Sequence, residues 1–262
     1  MEMDRALNND WYYWRLVATG FCFAIFAIGG VVLGAVTTTL LPLFIWDQQR
    51  RRRFLRFLVH LSFRCFVGLM RVVGVLTYEI HGRDKLSVPG QLVIANHPTL
   101  IDVVFLIACI PNGICIVKQN LLESYFVGGL LRRAGYIGNT SQPKAALEAC
   151  VEALNSGATL IMFPEGSRSI PGTNQRFRRG AAYVALAAHK EFTPVHISCS
   201  PSTLTKSERW HDIPKRRIHF AMSVGENIPL EAPDRMISKR VAAKVMTDRA
   251  GQLLLKTATA YE

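Results

Sequence analysis

The sequence predicts an α/β fold, a largely parallel sheet covered by helices, preceded by an N-terminal membrane helix and an interfacial amphipathic helix. Three observations predict it. Residues 16–46 carry no charge, residues 54–76 alternate basic and apolar positions at helical spacing, and from residue 76 short apolar runs alternate with helical patterns. The predicted domains are therefore an anchor with a basic flank (1–53), the interfacial helix (54–76) and the α/β domain (77–262).

The uncharged segment 16–46 is long enough to cross a bilayer, which takes about 20 apolar residues. Its excess length allows a tilted single crossing or a half-inserted hairpin with a break near Thr37–Thr39 and Pro42, and the sequence leaves both open. Arg50–Arg53 follow directly, and such a basic run stays on the cytoplasmic side. We therefore expect a protein of the inner membrane with its α/β domain in the cytoplasm.

The pattern over 54–76 is that of a helix lying in the membrane plane. Basic residues recur every three or four positions, and Phe, Leu and Val fill the remaining sides. The basic positions are Arg53, Arg56, His60, Arg64 and Arg71. An ordinary surface helix of the α/β domain is the alternative interpretation.

The remainder of the chain predicts six strands and five helices. The candidate strands are 76–81, 91–95, 114–118, 158–163, 193–198 and 217–224. The candidate helices are 100–109, 121–133, 143–156, 180–189 and 234–257. In the last helix, the large apolar residues Ile237, Val241, Val245 and Met246 are expected to pack on the domain.

Charge and cysteine content narrow the function classes. Thirty-one basic against 19 acidic residues give a net charge of +12, which suits nucleic acid, an anionic membrane or an acidic substrate. The sequence has no zinc-finger spacing, RNP-like string or basic region leading into heptads, so we expect membrane lipids as partners and no nucleic acid. The six cysteines form no CxxC pair, which indicates buried apolar residues in a reducing compartment and no metal site.

The first chemical motif is Asn96-His97-Pro98-Thr99-Leu100-Ile101-Asp102, directly after the apolar run 91–95. His97 would lie just beyond the carboxyl end of a strand, where α/β domains place their sites. Asp102, about one helical turn later, could reach back to the imidazole and fix its tautomer, so that the other ring nitrogen can act as a base. A structural His–Asp contact that caps a helix is the alternative.

The second motif is Phe163-Pro164-Glu165-Gly166-Ser167-Arg168-Ser169, which follows the apolar run 158–162. Glycine and small hydroxyl residues let backbone amides approach an anion, and Arg168 adds a planar fork of donors. Glu165 could hold that fork or bind acceptor hydroxyls. An ordinary turn with a surface ion pair would give the same pattern.

Together the two motifs resemble the first and third motifs of the glycerolipid acyltransferases, which include the 1-acylglycerol-3-phosphate acyltransferases. Their order and their separation of about 60 residues are also similar. The resemblance covers about residues 76–225. It implies a membrane-bound enzyme that moves a fatty acyl chain from acyl-CoA or acyl carrier protein to a hydroxyl of a lysophospholipid, without metal, cofactor or covalent acyl-enzyme.

The resemblance also implies residue roles. His97 would be the general base and Asp102 the residue that orients it. Substrate binding would fall to Asn96, Lys118, Glu165, Gly166, Ser167 and Arg168. Lys118 corresponds to the start of the family's second motif, and Arg168 would contact an anionic headgroup.

The chain departs from the family pattern at two places. Gly135-Tyr136-Ile137-Gly138-Asn139 stands where many phosphate-selective members carry an arginine, and the usual proline after Lys118 is missing. An acyltransferase for a specialised lipid or secondary metabolite is therefore a second interpretation. A non-catalytic lipid-binding scaffold on the same fold and a lipid hydrolase are the others.

Overall fold

The computed structural model describes residues 11–125, 127–140, 142–169, 177–230 and 238–259. Its centre is a seven-stranded sheet in the order β1-β7-β6-β2-β5-β3-β4, parallel except between β6 and β7, as the sequence predicts. The strands are β1 (Leu76–His81), β2 (Leu92–Ala95), β3 (Gly113–Lys118), β4 (Ile137–Asn139), β5 (Thr159–Met162), β6 (Phe192–Ser200) and β7 (Ile218–Val224).

Nine α-helices lie in the described part of the chain, with a short 3-10 helix at Arg83–Ser87. Three precede the sheet: α1 (Tyr12–Thr39), α2 (Leu41–Phe44) and α3 (Gln48–Val72). The others are α4 (Asp102–Cys109), α5 (Gln119–Leu122), α6 (Gly128–Ala134), α7 (Pro143–Asn155), α8 (Gly180–Ala188) and α9 (Lys239–Thr259).

Two elements differ from the sequence prediction. The expected helix 121–133 is divided into α5 and α6, and the backbone of Leu122 lies so close to Gly128 that a Cβ would not fit there. β4 was not predicted, since three residues are too few to show a strand pattern. The expected start of the last helix, 234–237, includes Ile237 and lies outside the described residues.

Helix α1 lies against the α/β domain at both of its ends. Near its start, the buried Arg15 donates to the carbonyls of Pro214 and Arg216 at 3.0 Å and to that of Lys215 at 2.5 Å. Near its end, Arg133 Nη1 donates to Thr38 Oγ1 at 2.6 Å. Contacts near both ends therefore hold the helix against the domain.

The opposite side of α1 and α2 is apolar and exposed. Its exposed residues are Val17, Phe21, Ile25, Ile28, Val32, Val36, Leu40, Leu43 and Phe44. By length and composition, Tyr12–Phe44 could cross a membrane, and the most apolar stretch within it has a mean hydropathy of 2.4. The helix is interrupted at Leu40, between Thr39 and Leu41. Pro42 lies in the first turn of the short second helix, where a backbone N–H would have no helical partner.

Part of the basic face of helix α3 points into the protein. The sequence pattern had predicted that this face would contact lipid headgroups. Arg56 Nε donates to Ala134 O at 2.7 Å, and His60 Nδ1 lies 2.8 Å from Ile107 O. Both side chains are buried, whereas Phe54 and Phe57 are exposed. The helix thus packs on α4 through polar as well as apolar contacts and presents aromatic residues outward.

The register of the central strands places the two sequence motifs side by side. β2 and β5 are parallel neighbours, with Ile94 opposite Met162, and both strands are fully buried. The segments that follow them, 96–102 and 163–169, therefore leave the same edge of the sheet at the same level. Residues that are about 60 positions apart in sequence meet there for this reason.

Candidate active site

Asn96 fixes the direction in which the chain leaves β2. Its Nδ2 donates to Ile197 O and its Oδ1 accepts from Ile197 N, both at 2.7 Å. The amide thereby continues the pairing of β2 with β6 for one more residue. Both polar side-chain atoms of Asn96 bond to the backbone of β6, and its contact with substrate stays a prediction.

His97 and Asp102 are in direct contact, at the separation that their spacing predicts. The distance from His97 Nδ1 to Asp102 Oδ2 is 2.7 Å, and Asp102 opens helix α4. Thr99 donates to the same carboxylate from its backbone N at 2.8 Å and from its Oγ1 at 2.5 Å. Because a carboxylate only accepts hydrogen bonds, the imidazole proton lies on Nδ1 and Nε2 remains the basic nitrogen.

The Asp102 carboxylate carries no exposed surface, whereas the imidazole keeps 17% of its surface exposed. Burial raises the pKa of Asp102, and the hydrogen bonds from His97 and Thr99 act in the opposite direction. Burial of the carboxylate costs free energy, and the three hydrogen-bond donors offset part of this cost by favouring its charged form. The exposed edge of the ring is the part that a substrate can reach.

The second motif holds His97 from the other side. The imidazole stacks on Phe163 with ring centres 4.2 Å apart. Glu165 Oε1 accepts from His97 N at 3.2 Å, and Ser169 N donates to His97 O at 2.7 Å. Both polar groups of the His97 backbone are therefore bound by residues 163–169, which restricts the ring to one position.

Glu165 is a buried acid that belongs to this clamp. Its Oε2 accepts from Ser169 Oγ at 2.5 Å. Burial raises the pKa of Glu165, while the hydrogen bonds from Ser169 and from the His97 backbone lower it. These contacts favour a role for the Glu165 carboxylate in positioning His97, in addition to its predicted contact with an acceptor.

Gly166 allows the tight turn at the centre of the motif. Its N donates to Phe163 O at 2.9 Å, and its φ of +72° is a left-handed conformation that side chains disfavour. A Cβ at this position would also meet the Arg178 side chain, with Nε 2.7 Å away. Ser167 follows in the same turn and is half-buried.

Arg168 is anchored by a segment that sequence reasoning did not single out. Its Nη1 donates to the carbonyls of Leu204 at 2.8 Å and Thr205 at 2.7 Å. Leu204 O also accepts from Leu100 N at 3.2 Å. The loop after β6 thus ties the two motifs together, and its main-chain contacts leave no recognisable pattern in the sequence.

Lys118 lies farther from the imidazole than the other expected site residues. In the sheet, Ile161 of β5 is opposite both Val93 of β2 and Cys115 of β3. Three residues farther along, Asn96 and Lys118 are therefore also at the same level, with β5 between their strands. That is about 10 Å across the sheet. The side chain is exposed and could reach a charged group of a substrate that extends from His97 along this edge.

Comparison with known proteins agrees with this geometry. Residues 77–198 match the family model described as Acyltransferase. Over these residues the chain is similar to the members of this family. It is 31% identical over 183 residues to a 1-acyl-sn-glycerol-3-phosphate acyltransferase of Limnanthes alba, which covers 68% of this chain and 62% of the relative. A protein of the same description from Pseudomonas aeruginosa is 27% identical, over 74% of this chain and 72% of the relative.

The fold also has a solved counterpart. The crystal structure of the 1-acyl-sn-glycerophosphate acyltransferase of Thermotoga maritima superposes with a TM-score of 0.66 at 19% identity, covering 91% of this chain and 95% of the other. The chain spans 62% of the length of the Limnanthes relative. In the part of the chain that the structure describes, no group of three or more His, Cys, Asp or Glu side chains is placed to hold a metal ion.

Proposed function

We propose that the protein transfers a fatty acyl chain from an acyl thioester to a hydroxyl of a lysophospholipid such as 1-acylglycerol-3-phosphate. The observation that carries the proposal is the 2.7 Å contact between His97 Nδ1 and the buried Asp102 carboxylate, with the imidazole edge open at the carboxyl end of β2. The match of residues 77–198 to the acyltransferase model and the names of the relatives support the same reaction type.

In the proposed reaction, His97 Nε2 removes the proton of the acceptor hydroxyl while its oxygen attacks the thioester carbonyl. The tetrahedral intermediate collapses with cleavage of the C–S bond, and the imidazolium returns the proton to the leaving thiolate. One ester and one thiol result. The donor is acyl-CoA or acyl carrier protein, and the residues of the chain need no cofactor to move this proton.

Asp102 stabilises the imidazolium that forms during the reaction, and Thr99 holds the carboxylate in place. Glu165 and Ser169 fix the His97 backbone, so they are positioning residues in this proposal. Arg168 and Lys118 are cations at this edge of the sheet, and we assign them to the charged part of the acceptor. Gly166 and Ser167 shape the turn that brings Arg168 to the site.

We propose further that α1, α2 and the exposed aromatic residues of α3 hold the enzyme at the inner membrane. Both ends of α1 contact the α/β domain through Arg15 and Thr38. A helix that crosses about 30 Å of hydrocarbon separates its ends by that thickness and can keep only one of them on the domain. The contacts therefore favour an orientation in which the apolar side of α1 lies in the cytoplasmic leaflet.

The test is a transfer assay with labelled acyl-CoA and acyl carrier protein and a panel of lysophospholipid acceptors in mixed micelles. We expect His97→Ala to lower kcat by about 10²–10⁴-fold, the usual contribution of a general base, while the protein remains folded. Turnover of a folded His97→Ala protein at the wild-type rate would contradict the mechanism.

The same assay separates the other candidates by product. A specialised acceptor would give labelled ester with membrane lipid extracts and none with 1-acylglycerol-3-phosphate. A hydrolase would release labelled fatty acid without any acceptor. A scaffold would give neither product with any donor, although the buried His97–Asp102 contact has no evident use in a protein of that kind.

A further inference from the structure

A basic groove lies along the edge strand β4, three strands away from β2, the strand that precedes His97. It has a volume of about 370 Å³ and is bordered by α3, α7 and β4. Four arginines, Arg52, Arg53, Arg56 and Arg132, line it together with one acid, Glu152. The groove therefore holds an excess of positive charge in a confined space.

Three of these arginines are held by main-chain carbonyls. Arg53 Nη2 donates to Ser156 O at 3.0 Å, Arg56 Nε donates to Ala134 O, and Arg132 Nη1 donates to Leu122 O. These contacts satisfy hydrogen bonds but neutralise no charge. The guanidinium groups are thus fixed around the groove by the fold.

Arg52 differs from the other three. It is half-buried, its Cδ approaches the backbone of Gly135, and it forms no hydrogen bond or ion pair within the described residues. Burial lowers the pKa of Arg56 to about 10, and the nearby charges of Arg52 and Arg53 act in the same direction. The repulsion among these cations is what an anion in the groove would relieve.

The groove lies next to the apolar surface of the N-terminal helices. Helix α3 begins two residues after Trp46, which is exposed like Leu43 and Phe44 before it. On the opposite side, Arg133, the neighbour of Arg132, contacts Thr38 near the end of α1. If the apolar surface is in the bilayer, the mouth of the groove is at the level of the lipid headgroups.

We propose that this groove binds the phosphate group of an anionic membrane phospholipid, with Arg52 as the principal donor. A guanidinium fork matches two phosphate oxygens, and the fixed positive charge of its neighbours strengthens the contact. The bound lipid would hold the protein at anionic regions of the membrane in one orientation. The site is separate from His97, and it uses residues that the proposed acyl transfer does not require.

The experiment compares Arg52→Gln with Arg50→Gln in the full-length protein. Arg50 is exposed on the same helix and does not line the groove, so both variants lose one charge at nearly the same place. Binding is measured by flotation with vesicles of phosphatidylcholine alone and with added phosphatidylglycerol, at about 0.15 M salt, where general surface attraction is screened beyond about 8 Å.

We expect Arg52→Gln to weaken binding to the anionic vesicles by about 10- to 100-fold, the effect of losing a hydrogen-bonded charge contact. Arg50→Gln should weaken it by no more than about 5-fold, the effect of one surface charge. Equal losses in both variants would overturn the proposal in favour of non-specific attraction. If Arg52→Gln melts below the wild type, Arg52→Lys, which keeps the charge but not the fork, replaces it and should also bind more weakly.

A second arm separates membrane lipid from soluble phosphate. Coenzyme A and inorganic phosphate are added to the vesicle-bound protein. Retention of the Arg52-dependent binding supports a lipid headgroup, whereas release by either compound at low millimolar concentration would overturn the assignment in favour of a soluble phosphate ligand. The readout is binding and not acyl transfer, so its failure would leave the proposed activity standing.

Discussion

Replacing Asp102 with asparagine would separate the charge of this residue from its hydrogen bonds. The asparagine Oδ1 can take the place of Asp102 Oδ2 and accept from His97 Nδ1 and Thr99 N. The amide nitrogen then faces Thr99 Oγ1, which can accept as well as donate. All the present contacts are therefore kept, and only the negative charge beside the imidazole is lost.

The size of the effect follows from the contact distance. With nitrogen and oxygen 2.7 Å apart, the centres of the two charged groups are about 4 Å apart, where the attraction at an effective dielectric of 20 is about 4 kcal/mol. This attraction exists only when the imidazole is protonated, which happens during the reaction. Its loss therefore raises the barrier by about that amount and lowers kcat by about 10³-fold.

The assay is acyl transfer under saturating donor and acceptor, together with thermal unfolding of the same preparations. We expect Asp102→Asn to lose about 10³-fold in kcat with little change in KM, and to unfold at the wild-type temperature or above, since a buried charge has been removed. Asp84→Asn, the same change at an exposed position, should leave both quantities unchanged. A kcat within 10-fold of the wild type would refute an electrostatic role for Asp102.

Two further predictions concern stability. Gly166→Ala should lower the free energy of unfolding by at least about 1–2 kcal/mol, the cost of a left-handed residue with a side chain, because the Arg178 side chain must also move; a melting temperature equal to the wild type would contradict the turn geometry. The second is a pH dependence. Burial raises the pKa of Asp102 and Glu165 above their ordinary values of 3.8 and 4.5, so in this range the folded state binds more protons than the unfolded state. Stability should therefore fall as the pH rises from about 4 through the raised values, and Asp102→Asn should fall less steeply. Denaturant unfolding at several pH values checks the sign, and a wild-type stability that rises with pH over this range would contradict it.

The sequence predicts the site better than it predicts how the site is supported. His97 and Asp102 are five residues apart, and their contact depends only on a strand end followed by a helical turn. The carbonyls that hold Arg168 come from Leu204 and Thr205, more than 30 residues later, and any residue type provides a carbonyl. Main-chain partners of this kind cannot be found from side-chain patterns.

The positions of the helices were predicted better than the side of each helix that packs on the domain. The prediction assumed that large apolar side chains are buried and charged ones exposed. In α9, Val241 and Val245 are half exposed, while Ala242, Ala243 and Met246 pack against the domain. Small residues allow close approach of the helix, and a stripe of valines does not. In α3 the polar side chains of Arg56 and His60 are buried, and carbonyls near the ends of other helices accept their hydrogen bonds.

The contacts at the site also indicate where acceptor choice is decided. Asn96 and Asp102 use their polar side-chain atoms within the protein, and Glu165 uses both carboxylate oxygens to hold His97 and Ser169. These residues can set the position of the base but can add little discrimination between headgroups. The exposed Lys118 is at the same level of the sheet, two strands away. Lys118 at the end of β3 should therefore contribute to headgroup choice, and replacing it should change the preferred acceptor while the His97 chemistry remains.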